Sequence, residues 1–156
     1  MHVVHSIDAN TLDHLKSLAR ANVDSSRSLA LAARSSQSPE LRELFESMSQ
    51  GRRGNVEALS AYAQVAPEEF EARDSLYGAL HRWWLHLCTS REHGNLRAVV
   101  AEAERSEAEI QRSYERVLVL VAGHAIHDVL HSQYREVLRN QERIRDIGHN
   151  LPASQS

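Results

Sequence analysis

One acid in this sequence falls where a soluble protein would normally place an apolar residue. Between residues 96 and 121, apolar residues recur at alternating spacings of three and four, and Glu107 occupies one position of that series. This spacing puts Glu107 on the same helix face as Ile110 and Tyr114. A carboxylate on a buried face needs a partner, because an isolated ion in a dry interior costs several kcal/mol.

An arginine is the first candidate for that partner. Arg52 falls at the matching level of the preceding long helix and could pair with Glu107 through two parallel N–H···O bonds. Asn22 and Ser26 of the first helix fall at this level as well. We therefore predict a structural network that fixes the alignment of the helices. Its predicted members are Arg52, Asn55, Glu107, Gln133 and Asn140.

A bound metal ion is the alternative partner for the acid. Di-iron bundles take a Glu from each of two helices and a Glu-x-x-His pair from each of the other two. The second and fourth helices of this chain have no His at that spacing, so we expect no cofactor. The alternative is a metal-binding protein of the stress or storage type, with Fe or Zn at one of two sets of residues: Glu104, Glu107 and Glu136, or His124, His127 and His131.

The histidine set depends on spacing alone. His124, His127 and His131 are three and four residues apart, so on one helix they would share a face. His127 and His131 could chelate Zn²⁺, with Asp128 as a further ligand or as an orienting group. The competing interpretation is a half-exposed helix start, because two His four residues apart are common by chance.

Other function classes are disfavoured. Cys88 and His86 are two residues apart and so point to different sides of a helix, which argues against a nucleophile pair. With no Gly-rich phosphate loop either, we predict no catalytic residues and favour a protein that is not an enzyme. The net charge of −3, with arginines alternating with glutamates, argues against nucleic-acid binding.

The same composition bears on location. No apolar run approaches the roughly 18–20 residues that would span a membrane, so no membrane partner is expected. The first ten residues have no cationic region followed by an apolar block, as a signal peptide would. A lone cysteine fits a reducing environment, and we expect a cytoplasmic protein.

The elements that must position these residues are four long amphipathic helices. We predict that the first begins with Asn10 as its cap and that the second begins with Ser38 as cap and Pro39 at its first position. The second should end before Pro67, and the fourth should stop at Gly148. Two glycines inside the second helix, Gly51 and Gly54, should allow another helix to approach closely.

The lengths of the links predict the topology. Two short links make two antiparallel hairpins, and a long crossover at about 67–94, containing a short helix, joins them. This predicts an all-α, ferritin-like four-helix bundle as a single domain over residues 1–156, with flexible ends at about 1–8 and 149–156. Bulky residues of the crossover, Trp83, Trp84 and Leu87, exceed what it needs for packing. They predict self-association, with a dimer as one form, or docking of another helical protein.

Two stretches of the sequence carry a resemblance to a known family. The segment Gly78-Ala79-Leu80-His81-Arg82-Trp83-Trp84 and the segment 102–114 resemble a bacterial four-helix-bundle family of unknown function, domain-of-unknown-function family 2383. The resemblance extends over residues 12–147. It implies a ferritin-like fold and a bacterial source, and it implies no reaction.

Overall fold

The computed structural model of this chain describes residues 7–70 and 95–151. Within those ranges the chain forms four long helices and no strand: α1 (Ala9–Ser35), α2 (Pro39–Ala63), α3 (Asn95–Leu120) and α4 (Ile126–Asn150). A short 3₁₀ turn, Pro67–Phe70, follows α2 and buries Phe70 against the helices. The prediction of an all-α four-helix bundle is therefore confirmed.

The start of α2 follows the predicted signal, whereas the start of α1 does not. Ser38 caps α2 by accepting a hydrogen bond from the Leu41 N–H, and Pro39 occupies the first turn. The prediction of Asn10 as the cap of α1 is wrong. Asp8 caps this helix, with its carboxylate 2.6 Å from the Thr11 nitrogen. Ile7 packs against the core beside it, so these two residues, assigned to a flexible end, are part of the folded bundle.

The C-terminal ends of α2 and α4 were predicted from Pro67 and Gly148, and only the first prediction is correct. As predicted, α2 stops before Pro67; it ends at Ala63, and Gln64 adopts a left-handed conformation as its C-cap. Gly148 does not stop α4, which continues to Asn150. A β-carbon at Gly148 would lie only 3.0 Å from Val100, so this glycine lets α4 approach α3.

The prediction for the two glycines of α2 is wrong. Added β-carbons at Gly51 and Gly54 would meet nothing within 4 Å, and both positions are exposed. No described helix approaches α2 there, so these glycines serve no close packing. They leave only the usual cost of glycine in a helix, about 1 kcal/mol each relative to alanine.

The packing defines the direction of each helix. In the described part of the chain, α1 lies against α2 and α3, and α4 lies against α3 and α2, which leaves α2 and α3 diagonally opposed. One apolar cluster joins the first half of α1 and α4 with the second half of α2 and α3. Another cluster joins the complementary halves. Thus α2 and α3 run in the same direction.

The two apolar clusters leave a polar layer between them, at mid-length of the bundle. Buried polar side chains from all four helices lie in this layer: Asn22, Ser26, Ser49, Arg52, Glu107, Gln133 and Asn140. The predicted short helix of the crossover and its residues Trp83, Trp84 and Leu87 lie outside the described residues, as do the chain ends 1–6 and 152–156.

Candidate functional site

A buried ion pair forms one half of the polar layer. The Arg52 guanidinium on α2 donates a hydrogen bond to the Glu107 carboxylate on α3, and each side chain is only 2% exposed. Arg52 Nε also lies 3.3 Å from the Ser25 hydroxyl of α1. Because α2 and α3 are diagonally opposed, this pair crosses the centre of the bundle. The contact expected between Arg52 and Glu107 is present.

A neutral network forms the other half of the layer, and the Tyr114 hydroxyl is its centre. This hydroxyl donates to Gln133 Oε1 at 2.9 Å and accepts from Asn22 Nδ2 at 3.0 Å and Asn55 Nδ2 at 3.3 Å. Asn55 also donates to Asn22 Oδ1 at 3.2 Å. One phenol therefore connects all four helices, with its donor and its acceptor capacity both used.

Burial sets the acid–base behaviour of this phenol. The desolvated environment raises the pKa of Tyr114 to about 12. Hydrogen bonds from Asn22 and Asn55 and the positive charge of Arg52 act in the opposite direction, and Glu107 adds to the rise. Tyr114 is therefore a neutral hydrogen-bonding group at physiological pH, with its hydroxyl proton retained.

The structure brings together four of the five residues of the predicted network, as two groups. Arg52 pairs with Glu107, while Asn55 and Gln133 meet through Tyr114. Asn140 is buried at the same level but, among the described residues, hydrogen bonds to neither group. Its neighbour in sequence makes a separate connection between α3 and α4, in which Gln141 Nε2 donates to Gln111 Oε1 at 2.8 Å.

Sequence reasoning missed Tyr114 as the centre of the network and Asn22 as a member. The spacing placed Tyr114 on the buried stripe, which is correct, since the residue is fully buried. A signal was nevertheless available: a buried tyrosine hydroxyl needs a partner, and Asn22 lies at the matching level of α1. Treating Tyr114 as only an apolar residue concealed that requirement.

The carboxylates proposed as a metal set do not converge in this structure. Glu107 is held by Arg52, and Glu136 pairs with Arg139 on the outer side of α4. Glu104 is half-buried on α3. Across residues 7–70 and 95–151, no group of three or more His, Cys, Asp or Glu side chains is arranged to hold a metal ion. The donor set of the polar layer therefore does not fit a di-iron centre.

The three histidines do not share one helix. His124 lies in the link before α4, where the preceding Gly123 has a φ of 84°. The backbone N–H of His124 donates to the Val121 carbonyl. His127 and His131 do lie on one face of α4, with their rings stacked and their centroids 6.0 Å apart. Asp128 is beside them, with its carboxylate 3.5 Å from His127 Nδ1.

His124 interacts electrostatically with Asp8, the residue that caps the start of α1. The pKa of Asp8 is lowered chiefly by the Thr11 N–H and hydroxyl that it accepts from, and to a lesser degree by His124 and His14. His124 itself lies in the link before α4, although the His127 N–H donates to its carbonyl at 3.0 Å.

The comparisons with known proteins identify a family and no function. The family model described as "Domain of unknown function (DUF2383)" matches residues 10–119, which cover α2, nearly all of α1 and α3, and the segment between α2 and α3. No curated protein and no solved structure matches significantly. No helix in the described ranges is long and apolar enough to cross a bilayer. The chain belongs to the DUF2383 family, as its resemblance predicted.

Proposed function

We propose that this protein is a non-catalytic helical bundle in which the polar layer aligns the four helices, at the level where a di-iron bundle would hold its metal. The observation that carries the proposal is the buried Arg52–Glu107 pair. An acid that a guanidinium already neutralises does not need a cation, and a ferrous or zinc ion would have to displace that guanidinium.

The neutral network supports the same role. Tyr114 connects side chains of α1, α2 and α4 to α3, and each of these hydrogen bonds exists only at one rotation and one axial position of each helix. A sliding helix would bury unpaired polar groups at about 1–3 kcal/mol each. The two apolar clusters lack this property, because apolar contacts are not directional.

A ferritin-like relationship is part of the proposal. Its support is the common direction of α2 and α3, which matches bundles with one long crossover. A bacterial, cytoplasmic protein of this type would act through binding, either to a second copy of itself or to another helical protein. Light scattering of the native protein and of a Trp83→Ala variant tests self-association through the crossover.

Transition-metal binding at the histidines is the second candidate function. The favouring observation is the stacked pair of half-buried His127 and exposed His131, one turn apart on α4 and next to Asp128. Two imidazoles at this spacing can hold Zn²⁺ in an open site. Such a site would be separate from the polar layer and would leave the role of Arg52 and Glu107 unchanged.

Metal analysis tests both candidates. We expect protein purified without an affinity tag to contain no stoichiometric iron, and titration with Fe²⁺ to show no saturating site. Stoichiometric Fe²⁺ or Zn²⁺ binding that is lost in Glu107→Gln and retained in His127→Ala would overturn the structural role of the layer. Zn²⁺ binding that is lost in His127→Ala alone would establish the histidine site instead.

A further inference from the structure

A groove between α1 and α3 opens beside the polar layer. Its volume is about 260 Å³, small for a ligand site, and Glu107 forms part of its wall. The rest of the wall mixes aliphatic side chains, including Leu29 and Ile110, with hydroxyl and carboxyl groups from both helices. The groove is thus amphipathic and joins the surface of the bundle to its most polar part.

Most polar groups of the groove are already satisfied. Glu107 is neutralised by Arg52, and Glu109 pairs with Arg105. Ser113 donates to the carbonyl of Glu109 in its own helix, and the hydroxyl of Ser106 is 3.5 Å from Glu102. Ser25 accepts from Arg52. These groups have no requirement for a ligand.

Two groups of α1 are the exception. Ser28 is only 5% exposed, and its buried hydroxyl oxygen has no hydrogen-bond partner in the described part of the chain. Such an orphaned polar atom is uncommon in folded proteins and calls for an explanation. Asp24 is half-buried and forms no ion pair within residues 7–70 and 95–151; burial raises its pKa, and Arg27 only partly counteracts this.

The spacing of Asp24 and Ser28 places both side chains on the same side of the groove. Asp24 and Ser28 are four residues apart in α1, so they lie on one face, one turn above the other, and both line the groove. Together they present an anionic acceptor and a hydroxyl acceptor next to an aliphatic wall. The complementary ligand carries several N–H donors on a positively charged group, which is joined to a short hydrocarbon chain.

We propose that the α1–α3 groove is a binding site for a small alkylammonium compound, whose ammonium group donates to Asp24 and Ser28 while its chain lies against Leu29 and Ile110. An ammonium group has three donors and no acceptor, which suits two acceptors one helical turn apart. A metal ion is a poorer match, because no triad of ligating side chains is present in the described ranges. The site is independent of the role proposed for the Arg52–Glu107 pair.

Isothermal titration of the full-length protein with 1,4-diaminobutane tests the proposal. We expect saturable binding at one site, with affinity reduced about tenfold or more in Asp24→Asn, since a charge-assisted hydrogen bond is lost. Ser28→Ala should also weaken binding while leaving the unliganded protein at least as stable, because it removes an unpartnered hydroxyl. Asp13→Asn, an exposed change on the same helix, is the matched control and should have no effect.

Two probes distinguish this site from general attraction of cations. Tetramethylammonium has the charge without N–H donors, and 1,4-butanediol has the chain without the charge; neither should bind measurably. Equal affinity for tetramethylammonium, or unchanged diamine affinity in a folded Asp24→Asn protein, would overturn the proposal. Absence of any heat or chemical-shift change with the diamine would overturn it as well.

Discussion

The two halves of the polar layer solve one problem in different ways. Arg52 and Glu107 place two full charges in the centre of the bundle and depend almost entirely on each other. The Tyr114 network uses neutral groups, and its four members share the hydrogen bonds among them. Removing one member of the ion pair should therefore abolish the whole contribution of the pair to the stability of the fold. Removing one member of the Tyr114 network should abolish only part of the contribution of that network.

The net contribution of the ion pair to stability differs from the cost of breaking it. A buried ion pair contributes little net stability relative to an apolar pair of similar size, yet breaking it is costly. In the role that we propose, the pair therefore acts more to forbid other alignments of α2 and α3 than to strengthen the native one. The Tyr114 network restrains all four helices, and its individual bonds are ordinary in strength.

The largest expected effect is that of Glu107→Ala. It leaves Arg52 buried without its anion, and we expect a loss of about 3–5 kcal/mol in the free energy of unfolding. Urea denaturation followed by circular dichroism measures this loss. An unchanged urea midpoint would contradict the pairing.

The matched control for that experiment replaces both partners. Arg52→Met combined with Glu107→Leu removes both charges and keeps an apolar volume, so the double variant should recover most of the lost stability. If the double variant is as unstable as Glu107→Ala, the charges themselves support the fold, and the contrast drawn between the two halves fails.

Tyr114→Phe should have an intermediate effect. It removes the shared hydroxyl and leaves Asn22, Asn55 and Gln133 incompletely bonded, at a cost of about 1–3 kcal/mol. A loss as large as that of Glu107→Ala would show that the neutral half is equally dependent on one residue. No loss would mean that the three amides find other partners.

Comparison of the wild-type protein with Tyr114→Phe also tests how stability depends on pH. The pKa of Tyr114 is raised from 10.0 to about 12 by folding, so above pH 10 the unfolded chain loses this proton first. The contribution of the phenol is complete below pH 10 and declines as pH rises toward 12, by about 2–3 kcal/mol in total. The stability difference between wild type and Tyr114→Phe should thus shrink over this range; a constant difference would contradict the raised pKa.

The smallest contrast lies between two buried serines of α2. The Ser49 hydroxyl donates to the Ser26 carbonyl at 2.7 Å, whereas the buried Ser60 hydroxyl has no partner among residues 7–70 and 95–151. We expect Ser49→Ala to cost about 1 kcal/mol and Ser60→Ala to be neutral or stabilising. Thermal unfolding of the two variants side by side measures the difference, and a Ser60→Ala protein less stable than Ser49→Ala would reverse the assignment.

Local signals in the sequence were sufficient for the elements themselves. Ser38 and Pro39 predicted the start of α2, and Pro67 predicted where it must stop, because caps and prolines act on the backbone within a few residues. The inward position of Glu107 followed from helical spacing in the same way. Where two local signals competed, as with Asp8 and Asn10 before α1, the sequence chose the wrong residue.

The sequence by itself thus determined four amphipathic helices, the length of each link and the presence of an acid in the core. The tertiary structure decided which side chains meet: that Tyr114 joins Asn22, Asn55 and Gln133, that Asn140 stays apart, and that His124 lies in the link before α4. Helical spacing defines only which face of one helix a residue occupies. The partner on another helix depends on the rotation and axial shift between helices, and these are fixed only when both apolar clusters pack together.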